Sequence, residues 1–272
     1  MTAINTNVGA LNARLYTLNA NRSQETAMER LSSGSRVNSA ADDAAGLAVA
    51  GKMESQLRGI NMAIRNNQDG VGLIQTAESG LNEIRNMTLR IRELAVQMAN
   101  GIYENTPDRA NAQLEVAALL EQVDLIADNT KFNDVALLDG TFSAVSIQAG
   151  NTTAETISLT FADLGQSGLS INGASIATQG SATTVIGTMD AALQTISQEQ
   201  ATMGSLQNRL NYSISNLSRA SVMTEQALGR IMDADFAAES TALSKSQILN
   251  QAATSMLAQA NQSKQMLLQL IQ

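Results

Sequence analysis

The feature that most constrains the fold is a hydrophobic period of 3.5 residues kept up along the second half of the chain. It runs Ile186, Met189, Leu193, Ile196, Gln200, Met203, Gln207, Leu210, Ile214, Leu217, Ser221, Thr224, Leu228, Ile231. Steps of three and four in alternation place one stripe along a left-handed supercoiled helix, so this segment must pack lengthwise against partner helices. Residues 186 to 231 would form a rod about 70 Å long at roughly 1.5 Å per residue.

A second stripe occupies the first half: Met53, Leu57, Ile60, Ile64, Asn67, Val71, Ile74, then Ala77, Leu81, Ile84, Thr88, Ile91, Ala95, Met98. The extra three-residue step from Ile74 to Ala77 is a stammer, which overwinds the coil locally without ending the helix. Gly59, Gly70, Gly72 and Gly80 weaken the helix intrinsically, so tertiary packing must hold it. Gly101 is placed to end it. Thr106-Pro107-Asp108 reads as an N-cap with Pro at the first helical position, opening a third helix that carries Leu114, Ala117, Leu120, Val123 and Ala127.

After residue 130 the pattern changes to alternation. Val145 and Ile147 face Ile157, Leu159 and Phe161 across a Gly-Asn-Thr-Thr stretch at 150–153, which predicts a β-hairpin. Residues 163–184 are rich in Gly, Ser and Thr without a period and are expected to form an exposed connection.

Both chain ends carry shorter seams: Ile4, Val8, Leu11, Leu15 and Leu18 at the start, and Ala242, Ser246, Leu249, Ala253, Met256, Ala260, Ser263, Leu267 and Leu270 at the end. So few large side chains cannot offset the backbone entropy of ordering each end, so neither should fold alone. Order there requires pairing between the ends and with neighbouring copies, which makes Ile4, Val8, Leu11, Leu15, Leu18, Leu249, Met256, Leu267 and Leu270 the expected assembly seams. The turn-rich break Ser32 to Asn38 separates this terminal layer from the rods.

Composition narrows the chemistry. The chain has no Cys, His or Trp, which removes the commonest nucleophile, general base and soft metal ligands; neither enzyme activity, nor a cofactor, nor a metal is expected. Asp42-Asp43 reads as a helix N-cap rather than an acid pair, since no further ligands accompany it. The Gly-rich 165–180 stretch lacks the Lys-Ser/Thr of a P-loop. A net charge of −8 argues against nucleic acid as a partner. No apolar run approaches the roughly 20 residues needed to span a bilayer, and Met1 to Asn12 lacks the basic and apolar regions of a Sec-type signal peptide.

Several blocks resemble the signatures of bacterial flagellins, in the family's order. They are Ile4-Asn5-Thr6-Asn7, Arg30 to Ala40 running into Asp42 to Ala48, Arg92 to Gln97, Lys131-Phe132-Asn133, Leu137 to Gly140, Asp233 to Glu239, Gln247-Ile248-Leu249 and Met256 to Asn261. Together they span roughly residues 1–142 and 186–272. The resemblance implies a mainly α fold: long antiparallel coiled-coil rods from both chain halves, a small β-hairpin subdomain, and terminal helices forming an inner coiled-coil layer. It divides the chain into 1–41 with 234–272 as the terminal coiled coil, 42–142 with 186–233 as the helical rod domain, and 143–185 as the hairpin and a short variable connection.

The same resemblance implies a secreted structural subunit of the bacterial flagellum that self-assembles into a homopolymer. It would leave the cell unfolded through the flagellar type III export apparatus, with an export chaperone, and add at the tip beneath filament cap and junction proteins. Larger members insert outer domains where this chain has only about 20 residues, so a thin, smooth filament with Ser and Thr at 167–184 as the exposed hydroxyls is expected. Members detected by the animal Toll-like flagellin receptor use an Arg, a Leu and a Glu at positions that resemble Arg90, Leu94 and Glu115, although Leu89 stands where many of them carry Gln. A zinc peptidase helix, present in some members, is excluded by the absence of His. A hook–filament junction protein and an intracellular coiled-coil scaffold are the alternatives to a filament subunit.

Overall fold

The computed structural model describes residues 6–269, with side chains described as far as Met266. The elements run α1 (Val8–Ser33), α2 (Ala44–Met98), α3 (Ala110–Asn129), β1 (Lys131–Phe132), β2 (Val135–Ala136), β3 (Val145–Gln148), β4 (Thr156–Leu159), α4 (Gln179–Met232) and α5 (Phe236–Gln269). They divide into two compact units, one of residues 1–55 with 223–272 and one of residues 56–222. The family-like expectation of a mainly α fold with a small antiparallel β component describes this architecture.

In the second unit the heptad stripes become the core. Ile60, Asn67, Ile74, Ala77, Leu81, Ile84, Thr88, Ile91, Ala95 and Met98 of α2 are all buried, and burial passes through the stammer between Ile74 and Ala77 without a break. From α4, Met189, Ile196, Met203 and Leu210 meet them, and α3 adds Val116, Leu120, Val123 and Ala127. Burial of this many aliphatic side chains, at about 1.5–3 kcal/mol each, is what holds a glycine-containing helix such as α2 together.

The hairpin pairs β3 with β4 antiparallel, Val145 opposite Leu159 and Ile147 opposite Ile157. It is seated on α2 by two adjacent amides: Asn66 donates to the Gln148 carbonyl at 3.2 Å and buried Asn67 to the Ala149 carbonyl at 3.1 Å. Close approach here needs Gly70, because a Cβ at that position would run into the Ile147 Cδ1 methyl and meet Leu210 Cδ1 at 3.2 Å. A second, minimal strand pair, β1 with β2, follows α3 and lacks any alternating pattern long enough to be read from sequence.

The connection at 163–184 is not an exposed loop. Leu164, Leu169, Ile171 and Ile176 are buried in the same core, and Ala182 is already helical and buried. Apolar residues scattered without a period still find the core when short turns such as the Leu169 and Ile171 amides bonding to Gly165 and Gln166 carbonyls turn them inward. The long helix α4 accordingly starts at Gln179, seven residues before its heptad stripe. Thr178 and Ser181 cap it reciprocally: the Thr178 hydroxyl accepts from the Ser181 amide at 3.2 Å and the Ser181 hydroxyl accepts from the Thr178 amide at 3.1 Å.

Between α2 and α3 the chain is held by one guanidinium. Arg109, 4% exposed, donates to the Met98 carbonyl at 2.9 Å, the Asn100 carbonyl at 2.9 Å, the Asn105 side-chain oxygen at 3.0 Å and the Tyr103 carbonyl. Thr106 is extended (φ −140°, ψ 123°) within the helical turn Asn105–Arg109, so regular α-helix resumes only at Ala110 rather than at Pro107. Glu199 on α4 is half-buried, and burial pushes its carboxyl above the usual range despite a 3.4 Å hydrogen bond from the Ala162 amide.

Candidate assembly surface

In the first unit, α1 and α5 pair antiparallel. Asn7 donates to the Ala260 carbonyl at 3.1 Å, Asn250 is hydrogen-bonded to Asn21, and Arg30 forms an ion pair with Glu239 at 2.9 Å. These three polar contacts sit along a seam built from small side chains. On α1 it consists of Ala10, Ala13, Thr17, Ala20, Gln24 and Ala27, a strict three-four alternation; Ala13, Ala20 and Ala27 are buried. On α5 the matching positions are Leu243, Ser246, Asn250, Ala253, Leu257 and Ala260. Among the long helices, only α1 and α5 bring Cα atoms repeatedly within 8 Å, which is what side chains this small permit.

The helix ends are fixed locally. The Asn7 side chain accepts from the Ala10 amide at 3.1 Å, and Gly34 closes α1 in the left-handed conformation (φ 72°) with its amide on the Arg30 carbonyl. Asp235 caps α5 by accepting from the Ala237 and Ala238 amides. The two breaks at 34–36 and 232–234 are hydrogen-bonded to each other. Arg36 donates from its amide to the Met232 carbonyl and from its guanidinium to the Ile231 carbonyl, both at the end of α4. Ala234 donates to the Gly34 carbonyl at 3.0 Å.

The acidic pair splits its work. Asp43 caps α2, accepting from the Gly46 amide at 2.8 Å, while Asp42 accepts from the Ser39 amide and hydroxyl and the Asn38 amide. Those hydrogen bonds, the Ser39 amide foremost, hold the Asp42 carboxyl below its ordinary range.

The large apolar residues of the N-terminal seam face away from α5. Val8, Leu11, Leu15 and Leu18 are between 48% and 58% exposed, and they occupy a stripe on the far side of α1 from the alanine seam. On α5, Leu249 and Met256 are 50% and 64% exposed, flanking the buried Ser246 and Ala253. Ile4 and Leu270 lie outside the described residues, as does the side chain of Leu267. Of the seam that closes the pair, Ser246, Ala253 and Ala260 were expected on α5, whereas Ala13, Ala20 and Ala27 on α1 were not, though their heptad spacing was the signal.

Of the three positions that resemble receptor contacts, Arg90 and Glu115 are exposed and joined to each other at 2.9 Å, with Glu93 also on Arg90 at 3.4 Å. The hydrogen bond that Arg90 donates to Glu115 leads the effects that raise the Arg90 pKa. Leu94 is 4% exposed and belongs to the core between α2, α3 and α4, so its side chain offers no surface to a partner while the unit is folded. Among the described residues no cluster of three or more acidic, His or Cys side chains could hold a metal ion, and no helix is long and apolar enough to cross a membrane.

Comparison with known proteins places both chain halves in one family. The model of the bacterial flagellin N-terminal helical region matches residues 4–143, and that of the flagellin C-terminal helical region matches residues 186–271. The chain belongs to the bacterial flagellin family.

It is 43% identical to the flagellin of Halalkalibacterium halodurans and 38% identical to that of Bacillus subtilis, each alignment covering 98% of this chain and 99% of the other. It is 40% identical to the flagellar filament 33 kDa core protein of Treponema phagedenis, with the same coverage. Among solved structures, the crystal structure of Bacillus cereus flagellin matches with a TM-score of 0.51 at 33% identity, covering 56% of this chain and 88% of that one. A putative flagellar hook-associated protein from Vibrio parahaemolyticus matches with a TM-score of 0.60 at 14% identity, over 71% of this chain and all of that one, which shows a shared fold alone. This flagellin is therefore a structural subunit of the flagellar filament, a polymer of such chains located outside the cell. Flagellins are structural proteins, and the filament rather than a hook-associated junction is the assembly the family match assigns.

Proposed function

We propose that this subunit leaves the cell unfolded, through a type III export apparatus with a chaperone, and joins the filament by ordering its two terminal helices against neighbouring copies. A filament cap at the growing end and junction proteins at its base complete the partner set. In this reading residues 1–41 with 234–272 form the inner layer, 42–142 with 186–233 the rod layer, and 143–185 the outermost hairpin and short connection. The chain then acts as the repeating unit of a thin motility propeller.

The observation that carries this reading is the orientation of α1. Its small side chains close the pair with α5, while Val8, Leu11, Leu15 and Leu18 remain solvent-facing. Four large aliphatic side chains in one exposed row are a poor choice for a soluble surface and a natural one for a buried contact between subunits. An α1–α5 pair whose only large aliphatic seam residues are Leu243 and Leu257 gains little from burial within one chain, so full order depends on that second contact.

The test compares full-length protein with chains lacking residues 1–35 or 240–272 in seeded polymerisation followed by negative-stain microscopy. Full-length protein is expected to form long uniform filaments and both truncations none, with the helical rod unit still folded. Filaments from either truncated chain would refute terminal-helix assembly.

A further inference from the structure

The α1–α5 pair carries two different apolar surfaces. One is the exposed row Val8, Leu11, Leu15, Leu18 on the far side of α1. The other is a groove of about 870 Å³ between α1 and α5, edged by Tyr16 and Asn19 on one helix and by Leu249, Ala252 and Met256 on the other. Among the described residues, Lys245 is the only charged side chain lining it.

The row is shorter than the groove and ends in a charge opposite to the one at the groove's edge. Beyond Leu18 the α1 row continues at heptad spacing through Arg22 to Glu25. From Val8 to Glu25 is seventeen positions, about 26 Å of helix; the described groove lining on α5 runs from Ala242 to Ser263, twenty-one positions or about 32 Å, so the row fits within it. A helix laid in the groove antiparallel to α5, with Val8 beside Ser263, brings Glu25 to Lys245. Both side chains are exposed and neither forms an ion pair within the chain among the described residues. In the same alignment Leu15 falls at Met256 and Leu18 beside Ala252 and Ala253, so Leu18 enters a gap left by small side chains.

We propose that the Val8–Leu11–Leu15–Leu18 row of one copy seats in the α1–α5 groove of a second copy, antiparallel to its α5, with Glu25 against Lys245. This rests on the reading that the terminal helices drive assembly, and it says which faces meet. Because the row and the groove are distinct surfaces of the same helix pair, the contact is heterologous: each copy offers a row to one neighbour and a groove to another. Such a contact builds a helical filament when its rotation does not close a ring, whereas a self-complementary patch would stop at a dimer. The groove's apolar lining excludes water from Val8, Leu11, Leu15 and Leu18, and the Glu25–Lys245 pair at one end sets direction and register.

Charge reversal tests it. Full-length Glu25→Lys and Lys245→Glu variants should each raise the critical concentration for seeded polymerisation, measured by sedimentation, by about fivefold, the effect of losing a rim charge pair and gaining a repulsion. The double variant, in which every contact regains opposite charges, should return to within about twofold of the unaltered protein. Circular dichroism of each monomer checks that helix content is unchanged. Additive defects in the double variant, or single variants that polymerise like the unaltered chain, would overturn the pairing of these faces while leaving terminal-helix assembly standing. Filaments that survive deletion of residues 1–35 would overturn the underlying reading and this inference together.

Discussion

Arg109 offers the sharpest test of how the rod unit is held, because one side chain ties down a whole turn. Its guanidinium donates to the Met98, Asn100 and Tyr103 carbonyls and to the Asn105 side chain, in a site only 4% exposed. In an Arg109→Met variant the aliphatic stem survives and the four donors vanish. The Asn100 carbonyl keeps a second donor, the Tyr103 amide at 3.4 Å, so the Met98 and Tyr103 carbonyls are the two left bare. Each buried carbonyl without a partner costs about 1–3 kcal/mol, and relief from desolvating a guanidinium offsets part of that, leaving a net loss of about 3 kcal/mol. That loss should appear first as local opening. Amide protection across residues 98–112, followed by hydrogen exchange on the full-length monomer, should fall by about two orders of magnitude, since every 1.4 kcal/mol is tenfold. Chymotrypsin should cut at Tyr103 much faster than in the unaltered chain. Arg109→Lys should restore little, because a compact ammonium cannot reach carbonyls on several sides at once. Protection lowered by less than about threefold in Arg109→Met would refute the claim that these hydrogen bonds hold the turn.

Two further outcomes follow from the same unit. The Glu199 carboxyl is raised by burial, so the folded state holds its proton more tightly than the unfolded chain does. Stability from this group is therefore full below its ordinary value of 4.5 and is lost as pH rises through the folded value. Glu199→Gln should accordingly raise Tm at neutral pH and leave it unchanged below pH 4.5, and an equal effect at both pH values would contradict the assignment. Gly70→Ala should destabilise the unit by about 1–3 kcal/mol in urea titration monitored by circular dichroism, because the new methyl displaces Ile147 or Leu210. Preserved stability would mean that the hairpin does not press on α2 at this point.

Much of this architecture was legible in the sequence for one physical reason: a helix that packs along its whole length must repeat its apolar residues every 3.5 positions. The stripe from Ile60 to Met98 is buried where the pattern places it apart from half-buried Ile64 and Val71, stammer included, and the partner stripe on α4 is buried or half-buried throughout. Hairpin alternation at 145–147 and 157–161 was equally readable, since a strand's two faces differ in environment. The segment at 163–184, expected to be exposed, buries Leu164, Leu169, Ile171 and Ile176 through successive short turns, and turns have no period to detect.

The terminal helices mark the limit. On α1 two sets of residues keep heptad spacing: Val8, Leu11, Leu15, Leu18, and the alanine series through Ala13, Ala20 and Ala27. By itself the sequence determined that α1 has more than one face suited to helix packing. Only the tertiary structure decided that the alanines meet α5 and the large residues turn outward. Periodicity records that a face will be buried without recording against what, and close approach of two backbones favours the smallest side chains over the most hydrophobic ones.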